Sequence, residues 1–294
     1  MSLSIGIVGH EASPTLTENL IPELEKRGHR VKHLHLSSVL LHTFDAEAAL
    51  QELLGFDIVY YRTSGLDPVL PFELSKMLRA KKRVCLNGVY DHHPHIPRKT
   101  YQAVLAGRAG VRLPKTFAAA EPDFGNIVKQ LGAPFIAKLD ISSQGRDVHK
   151  ITTEAEFQSL PPATPMNRYV FQEFIPHECD YRVHMLGEKA VAAYRRVPAS
   201  GDFRANVSRG GTMEHVDDEK KQELYALAEK LAPLFGLDIC AIDFLHSSKD
   251  GEFYFAEVNL NPGWEYSDIK ATGVDMSVLT ADYIEARAAA GARV

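Results

Sequence analysis

Cysteine is scarce in this 294-residue chain, and its three copies lie far apart. Cys85, Cys179 and Cys240 show none of the paired spacings that hold zinc, and an odd count argues against a disulfide framework. The sequence also lacks a convincing Ser/His/Asp or Cys/His arrangement, so we expect no protein nucleophile. Cys85 and Cys240 lie inside apolar runs, which favours buried thiols.

Long apolar runs and an excess of basic residues are lacking as well. No stretch approaches the length of a membrane span, and the N-terminus does not resemble a signal peptide. Lys and Arg number 33 against 38 Asp and Glu, a formal net charge of -5, whereas nucleic-acid-binding proteins are normally basic. We therefore expect a cytoplasmic protein without membrane or nucleic-acid partners. The sequence allows a homo-oligomer but does not decide it.

Strand and helix patterns alternate through residues 1–95. SIGIVG, VKHLHL, FDIVYYRT and RVCLNG have strand character, and LTENLIPELEKRG and PFELSKMLRAKK have helical spacing. Such alternation with short connections predicts a parallel sheet with helices on its faces. GIVGHE could open a dinucleotide loop, but the full glycine spacing and an acidic residue after the second strand are missing. We interpret it as a tight turn, and a nicotinamide-dependent oxidoreductase is the weaker alternative.

Two groups of histidines lie in or beside this region. DHHPHIP, at residues 91–97, places three histidines close together, but no carboxylate beyond Asp91 completes a metal-binding pattern. A solvated or substrate-lining loop is the favoured interpretation. The other group is interpreted as surface positions around an edge strand and comprises His29, His33 and His35.

The rest of the chain predicts two further lobes, at residues 96–174 and 175–294. Pro97 opens a helix over RKTYQAVLAGRAG, LGAPFIAKLD reads as a strand, and ISSQGRD is a polar loop. Thr153 and Glu156 have the spacing of a capping box. From DYRVHML onward the pattern is antiparallel until the helix DDEKKQELYALAEKLAPLFG. The predicted fold class is α/β with α+β lobes.

A C-terminal hairpin carries the clearest candidate site. CAIDFL and EFYFAEVNL are apolar strands joined by the turn-rich HSSKDG. Side chains alternate across a strand, so Glu257 and Asn259 share a face, and a turn near Asp250 places Asp243 roughly opposite Glu257. Two adjacent carboxylates in apolar surroundings are costly unless a cation neutralises them. Hard oxygen ligands suit Mg²⁺ or Mn²⁺, and a hydrogen-bonded acid pair is the alternative.

Two lysines are candidates for binding phosphate. Lys138 ends an apolar strand just before SSQGRD, a small, glycine-containing loop that can present backbone N–H groups to phosphate oxygens. We expect residues 141–146 to be mobile without nucleotide and ordered with it. Lys99, in the first turn of its helix, offers a second cation.

A second hairpin adds arginines. It runs from DYRVHML through GEK to AVAAYRR, and a turn near Gly187 places Asp180 near Arg195, with Asp180, Arg182 and His184 on one face. GDFRANVSRGG supplies further cations in a glycine-flanked loop. Converging cations near a magnesium–nucleotide site suit phosphoryl transfer, in which positioning and charge neutralisation provide most of the catalysis.

In chain order these segments resemble the ATP-grasp superfamily, specifically its ribosomal-protein glutamate ligase (RimK-type) branch. The resembling segments, within residues 96–285, are RKT, PFIAKLDISSQGRDV, FQEFI, DYRVHMLG, GDFRANVSRGG, AIDFL and FAEVNLNPG followed by ATGVD. Their joint order and spacing are highly specific, whereas the N-terminal lobe matches the superfamily's preceding domain only in pattern. SSQG has less glycine than relatives often carry, and NPGWEYSD matches no specific substrate pattern.

The resemblance implies an ATP-grasp fold with an N-terminal parallel α/β domain, and it implies a set of site residues. Lys99 and Lys138 would contact the ATP phosphates, residues 172–175 would line the adenine and Asp180 would approach the ribose. The full implied ATP-binding set is Lys99, Lys138, Gly145, Gln172, Glu173, Phe174, Ile175, Asp180, Arg182 and Arg195. The implied ligands of two Mg²⁺ or Mn²⁺ ions are Asp243, Glu257 and Asn259. The implied catalytic residues are Arg204, Asn206, Arg209 and Gly263, the last as a backbone donor to the developing oxyanion.

The resemblance also implies an activity, an ATP-dependent carboxylate–amine ligase. A carboxylate of a small molecule or peptide would attack the γ-phosphate, and an amino acid such as glutamate would displace phosphate from the acyl-phosphate. The number of arginines predicts a substrate carboxylate that the reaction does not consume, with Arg209 as its first candidate partner. The alternative is a regulator that binds ATP without ligating anything. The presence of all three implied metal ligands argues against it.

Overall fold

The computed structural model describes residues 2–9, 13–35, 46–62, 69–119, 121–142, 145, 147–200, 210–264 and 266–291. Within these residues the strands form three sheets. Each sheet falls within one of the three lobes predicted from the sequence, at residues 1–95, 96–174 and 175–294. The domain boundaries themselves stay a proposal.

The first sheet is parallel, as predicted, in the order β2-β1-β3-β4. Its elements are β1 (Ser4–Gly9), a π-helical segment Thr15–Leu20 that leads into α1 (Ile21–Lys26), β2 (Arg30–His35), α2 (Ala46–Leu54), β3 (Ile58–Arg62), α3 (Val69–Ala80), β4 (Val84–Leu86) and the 3₁₀ turn Val89–Asp91. All five residues of β3 are buried, as parallel strands covered on both faces require.

The second sheet is antiparallel and small, in the order β5-β8-β6-β7. Its elements are α4 (Lys99–Arg108), β5 (Thr116–Phe117), α5 (Phe124–Leu131), β6 (Phe135–Leu139), β7 (Val148–Ile151), α6 (Glu154–Gln158) and β8 (Tyr169–Glu173). Phe135 and Phe171 meet edge to face in its core, and Ile127 of α5 packs there too. The predicted capping box of Thr153 and Glu156 is confirmed at the start of α6.

The third sheet is antiparallel, in the order β11-β10-β9-β12-β13. Its elements are β9 (Asp180–Leu186), β10 (Lys189–Val197), β11 (Thr212–Glu214), α7 (Asp218–Phe235), β12 (Ile239–His246), β13 (Phe253–Asn259), α8 (Tyr266–Thr272) and α9 (Met276–Ala290). One face buries Val183 and Met185 against α7 and α4. The other face packs against the first sheet and α9, with Leu186, Ile239 and Trp264 in the shared core.

Asn87 links the first sheet to the third through hydrogen bonds. It follows β4 with a φ of 54°, a left-handed conformation that asparagine tolerates better than most residues. Its Nδ2 donates to the carbonyl oxygens of Ile239 and Leu260, and its Oδ1 accepts from the backbone N–H groups of Asp238 and Ile239. The two lobes are thus joined by buried hydrogen bonds as well as by apolar contacts.

The histidine and cysteine predictions have mixed outcomes. β2 is an edge strand as expected, but the surface interpretation of His29 is wrong. This residue is only 7% exposed, and its Nδ1 accepts from the backbone N–H of Leu3 while its Nε2 lies 2.9 Å from Glu285 Oε1.

Cys240 is buried, and burial raises the pKa of its thiol to about 12, whereas Cys85 is only partly buried. No described helix is long and apolar enough to cross a bilayer.

Candidate active site

A cleft opens between the second and third sheets. Most of the implied ATP-binding residues line it, and β6, β8, β9, β12 and β13 all contribute. The predicted residues in its lining are Lys99, Lys138, Gly145, Gln172, Glu173, Phe174, Ile175, Asp180, Asp243 and Glu257. The structure therefore brings together residues that are widely separated in sequence.

The segment from β8 to β9 forms one end of the cleft. Gln172 Nε2 donates to Thr116 Oγ1 at 3.0 Å, and the backbone N–H of Glu173 donates to the carbonyl of Lys115 at 2.9 Å. These bonds fix the end of β8 against β5. Ile175, only 5% exposed, follows directly and adds an apolar contact surface.

Sequence reasoning missed several lining residues. Four of them are apolar and come from β6, β7, β12 and β13: Ile136, Val148, Leu245 and Ala256. His177 also lines the cleft. Ile136 was accessible to prediction, because it lies two residues before Lys138 and shares its face of the strand. Leu245 likewise shares the face of Asp243, whereas no pattern singles out His177.

Lys99 is held at the start of α4 by the residue that follows β6. The Asp140 carboxylate accepts from the backbone N–H and the hydroxyl of Thr100, both at 2.9 Å, and from Arg98 Nη1 at 3.0 Å. A carboxylate at a helix N-terminus satisfies N–H groups that lack helical partners. Lys99 Nζ then reaches the carbonyl of Ser142 at 2.8 Å and lies 3.6 Å from Glu257 Oε2.

Lys138 is 7% exposed and lies in the lining of the same cleft. Burial lowers the pKa of its ammonium to about 8, an effect increased by Lys99 and opposed by the carboxylates of Glu257 and Asp140. A desolvated ammonium of this kind gains from an anionic partner.

Asp243 and Glu257 pair directly across β12 and β13, as predicted. A β-bulge between Asp243 and Phe244 produces this alignment, because β13 has one extra residue at this point. Asp243 is 3% exposed, while the side chain of Glu257 is 27% exposed and faces Lys99. The two carboxylates thus occupy adjacent strands at the edge of the cleft.

Two arginines surround Asp243. Arg182 Nε and Nη2 donate to its two carboxylate oxygens at 2.8 Å each, and Arg196 Nη2 donates to Oδ2 at 2.9 Å. Burial disfavours the charged carboxylate, but attraction to Arg182 and Arg196 outweighs it and holds the pKa of Asp243 well below its ordinary value. Asn259 Nδ2 also donates to Oδ2, at 3.1 Å, which leaves the amide oxygen of Asn259 available.

Arg196 occupies the position that the sequence assigned to Arg195. The predicted proximity of Asp180 and Arg195 is off by one residue, since Arg196 pairs with Asp180 across β9 and β10. Arg196 Nε and Nη2 bind the two oxygens of Asp180 at 2.5 and 2.9 Å. Arg195 instead forms an ion pair with Glu214 of β11. A bulge between Ala190 and Ala192 causes the shift.

The donor set at Asp243 fits a hard divalent cation. Among the described residues no group of three or more His, Cys, Asp or Glu could hold a metal. Two carboxylates and the Asn259 amide oxygen nevertheless match the few oxygen ligands that proteins give Mg²⁺, which keeps waters and phosphate oxygens in its shell. Arg182 and Arg196 neutralise Asp243, so a bound cation would replace part of their contact with its carboxylate.

The predicted catalytic residues are only partly covered. Arg204, Asn206 and Arg209 lie outside the described residues, as do Ser143, Gln144 and Arg146 of the predicted mobile loop. Gly145 lines the cleft with a φ of 64°, which favours glycine. Gly263 lies beside Thr15: a Cβ there would come 3.4 Å from Thr15 Oγ1. Arg182 and Asn259 lie behind the cleft lining and contact Asp243.

The fold defines the class of the protein. A D-alanine–D-alanine ligase from Bacillus anthracis, solved with ATP, matches with a TM-score of 0.69 at 15% identity, over 98% of each chain. The ATP-grasp ligase PsnB, solved with a minimal precursor, Mg and ADP, matches with a TM-score of 0.68 at 15% identity, over 97% of each chain. The architecture is therefore that of ATP-grasp proteins, and the predicted fold class is confirmed.

Sequence comparison narrows the class to a family. Residues 98–284, more than half of the chain, match the RimK-like ATP-grasp domain. A Thioalkalivibrio sulfidiphilus protein named "Probable alpha-L-glutamate ligase" is 30% identical over 302 residues, 97% of this chain and 96% of that protein. A Vibrio cholerae protein of the same name is 29% identical over 306 residues, 98% and 97% of the two chains. The chain belongs to the RimK-like ATP-grasp family and is an ATP-dependent carboxylate–amine ligase.

Proposed function

We propose that this ligase joins the α-amino group of L-glutamate to a carboxylate of a small molecule or peptide, through an acyl-phosphate. The names of the Thioalkalivibrio and Vibrio relatives support glutamate as the amine. The observation that carries the reaction type is the arrangement of Lys99 and Lys138 beside Glu257 in one cleft, with Lys99 Nζ 3.6 Å from the carboxylate. The proposed phosphate-binding cations and metal-binding carboxylates thus share one site.

ATP would occupy the cleft from the β8–β9 segment to β13. Ile136, Val148, Leu245 and Ala256 line the cleft and would offer apolar surfaces to the adenine ring. The backbone of residues 172–175, in the same lining, would recognise the ring nitrogens. The ammonium groups of Lys99 and Lys138 would face the phosphates. Asp180 would approach the ribose, which requires that it give up part of its two-pronged contact with Arg196.

Asp243, Glu257 and the amide oxygen of Asn259 would hold Mg²⁺ or Mn²⁺, and the two carboxylates can serve two ions. Bound there, a divalent ion would supply positive charge that neutralises the negative charge developing on the transferred phosphate. Arg182 and Arg196 hold Asp243 in its charged form and fix its orientation before nucleotide arrives.

The reaction needs no protein nucleophile. A carboxylate oxygen of the acid attacks the γ-phosphorus, the bond to the β–γ bridging oxygen breaks, and ADP leaves. The amine nitrogen then attacks the acyl carbon and loses a proton as inorganic phosphate departs. The protein positions the reactants and stabilises charge, and Arg204, Asn206, Arg209 and the backbone N–H of Gly263 remain the proposed contacts to the transferred groups.

We also propose a cytoplasmic location. Its support is the set of three free cysteines, which suits a reducing compartment, together with the need for ATP.

ADP formation with defined amines tests the proposed function. We expect ADP release to depend on Mg²⁺, on an acid from a mixed carboxylate pool and on an amino acid, with L-glutamate far more effective than D-glutamate. The D-enantiomer is the matched control, because it carries the same charges in the opposite hand. A protein that binds ATP but releases no ADP with any acid–amine combination would be a regulator, and the proposal would be wrong.

A further inference from the structure

Arg62 is a buried arginine that pairs with no carboxylate in the described part of the chain. It is 8% exposed and ends β3. Its Nη2 donates to the carbonyl of Pro262 at 3.2 Å, and its Nη1 reaches Tyr60 Oη at 3.4 Å. The guanidinium carbon lies 5.6 Å from the centre of the Trp264 ring. Arginine has five N–H donors, and the described residues use two of them.

Within the described residues, nothing around Arg62 neutralises its charge. Aromatic faces and a neutral carbonyl attract a guanidinium less than a carboxylate does. Burial of a charge without a counter-ion is costly, and a bound anion would offset that cost. Asp243, by contrast, is neutralised by two arginines of its own.

The position of Arg62 in the sheet is the second observation. The chain runs from β1 to β2 on one side and then crosses to β3 on the other side of β1. In open parallel sheets, ligands bind outside the carboxyl ends of the strands at this point of reversal. Gly9 and Arg62 are the last paired residues of β1 and β3, and so they mark that point.

Two more features lie near Arg62 at this end of the sheet. Gly9 has no side chain, and a Cβ there would come 3.1 Å from the carbonyl oxygen of Arg62 and 3.6 Å from His33 Nε2. His33 Nε2 is buried and has no hydrogen-bond partner in the described residues. By strand alternation Gly9, His33 and Arg62 share the face of the sheet that meets the third sheet, as Ile7 and Tyr60 do.

We propose that Arg62, with His33 beside it, binds a substrate carboxylate that the reaction does not consume. Pro262, its hydrogen-bond partner, follows Asn259 by three residues, so this subsite adjoins the proposed metal and phosphate site. A guanidinium can bind both oxygens of a carboxylate at once, whereas an ammonium group acts as a single point charge. An arginine therefore suits a carboxylate ligand. The inference rests on the proposed function, and either the amino-acid acceptor or the acid substrate can supply the carboxylate.

The test is titration calorimetry of the full chain, saturated with Mg²⁺ and ADP, against paired probes. L-glutamate and its α-amide examine the acceptor, and glutarate and its monoamide examine the acid. For at least one pair we expect wild type to bind the carboxylate more tightly than the amide. In Arg62→Gln the carboxylate of that pair should bind about 10- to 100-fold more weakly, as expected for a hydrogen bond to a charged group. The amide should bind both proteins alike, which a merely structural effect would not produce.

Two further variants keep the test decisive. Arg62→Lys keeps the buried positive charge but loses the two-pronged hydrogen-bonding geometry of the guanidinium. Its affinity for the carboxylate should lie between those of wild type and Arg62→Gln. This variant also provides the test if Arg62→Gln does not fold. Arg27→Gln removes a guanidinium that already has carboxylate partners in Glu23, Asp282 and Glu285, and it should bind both probe pairs as wild type does.

The proposal is overturned if neither carboxylate binds wild type more tightly than its amide. It is also overturned if both Arg62 variants bind the carboxylates as tightly as wild type. The measurement requires no turnover, so its outcome is separate from that of the ADP assay.

Discussion

At the residue scale, four charged side chains from different elements line one cleft, and two arginines bind one of them, Asp243. Lys99, Lys138, Asp243 and Glu257 were predicted from strand ends and hairpin alternation, and all four line the cleft. The arginine contacts of Asp243 were not predicted. A two-pronged ion pair across two strands depends on their register, and residue spacing in the sequence does not provide the register of strands that are not consecutive.

Glu257→Gln tests the metal assignment. We expect the fold to survive, because the side chain is 27% exposed and its nearest ion partner, Lys99, lies 3.6 Å away. Mg²⁺-dependent ADP formation should be abolished, since an uncharged amide holds a divalent ion poorly. The matched control is Asp250→Asn in the hairpin turn, where Asp250 accepts from Tyr254 Oη and activity should stay near wild type. Activity in Glu257→Gln equal to that of wild type would remove this residue from the metal site.

His184 predicts how stability depends on pH. It is fully buried next to Tyr194 and Trp264, and neither ring nitrogen has a hydrogen-bond partner among the described residues. Burial lowers its pKa from 6.5 to about 3, helped by the positive charge of Arg182. The unfolded chain therefore binds a proton that the folded chain does not, and stability is lost as pH falls from about 6.5 towards 3.

His184→Phe should remove this part of the pH dependence. The free energy of unfolding of wild type should drop by about 2 kcal/mol more than that of the variant between pH 7 and pH 5. Denaturant titrations at pH 5, 6 and 7 measure the difference, which is insensitive to a constant packing cost of the substitution. Parallel curves for the two proteins would mean that folding does not shift the pKa of His184, and the assignment would be wrong.

At the scale of elements, bulges explain which strand alignments could be predicted. Counting back from the turn near Gly187 places Asp180 opposite Arg195, but the bulge between Ala190 and Ala192 adds one residue and brings Arg196 there. This one-residue shift also moves each following residue of β10 to the opposite face of the sheet. Arg195 therefore points away from Asp180 and pairs with Glu214. Bulges leave no clear sequence signal here, and they concentrate near functional sites.

The start of α4 supports a prediction about ATP binding. Asp140 holds Thr100 and Arg98 next to Lys99, and its carbonyl accepts from the Lys99 N–H at 2.9 Å. Asp140→Ala should raise the KM for ATP about tenfold, because Lys99 loses its fixed position and a charge-assisted hydrogen-bond network is lost. Steady-state kinetics with varied ATP measures it.

The control for Asp140→Ala is another helix cap in the same lobe. Thr153→Ala removes the capping box of α6 and should lower stability by about 1 kcal/mol while leaving the KM for ATP unchanged. An equal change of KM in both variants would indicate a general loosening of the lobe. That result would contradict a specific role of Asp140 in positioning Lys99.

At the scale of the whole molecule, the sequence predicted three lobes but not how they are joined. The alternation of strands and helices is local, whereas the core shared by Leu186, Ile239 and Trp264 with the first sheet connects segments far apart in the chain. His29 illustrates the same limit. Its polar ring suggested a surface position, yet contacts with Leu3 and Glu285 bury it.

Asn87→Ala tests the junction between the first and third sheets. The change leaves the backbone N–H groups of Asp238 and Ile239 without their acceptor and places alanine at a positive φ. We expect a loss of about 2–4 kcal/mol in the free energy of unfolding. Asn126→Ala, at an exposed position of α5, is the matched control and should change stability by less than about 0.5 kcal/mol. Equal stability of the two variants would show that the junction depends on apolar contacts alone.

The most direct test of the central claim follows both halves of the reaction at once. Purified protein is incubated with ATP, Mg²⁺, ¹⁵N-labelled L-glutamate and a pool of carboxylic acids, and products are identified by mass spectrometry. The account predicts a ¹⁵N-containing amide whose mass is that of acid plus glutamate less water, formed in equal amounts with ADP and inorganic phosphate. AMP and pyrophosphate in place of ADP and phosphate, or ADP without any amide, would contradict it.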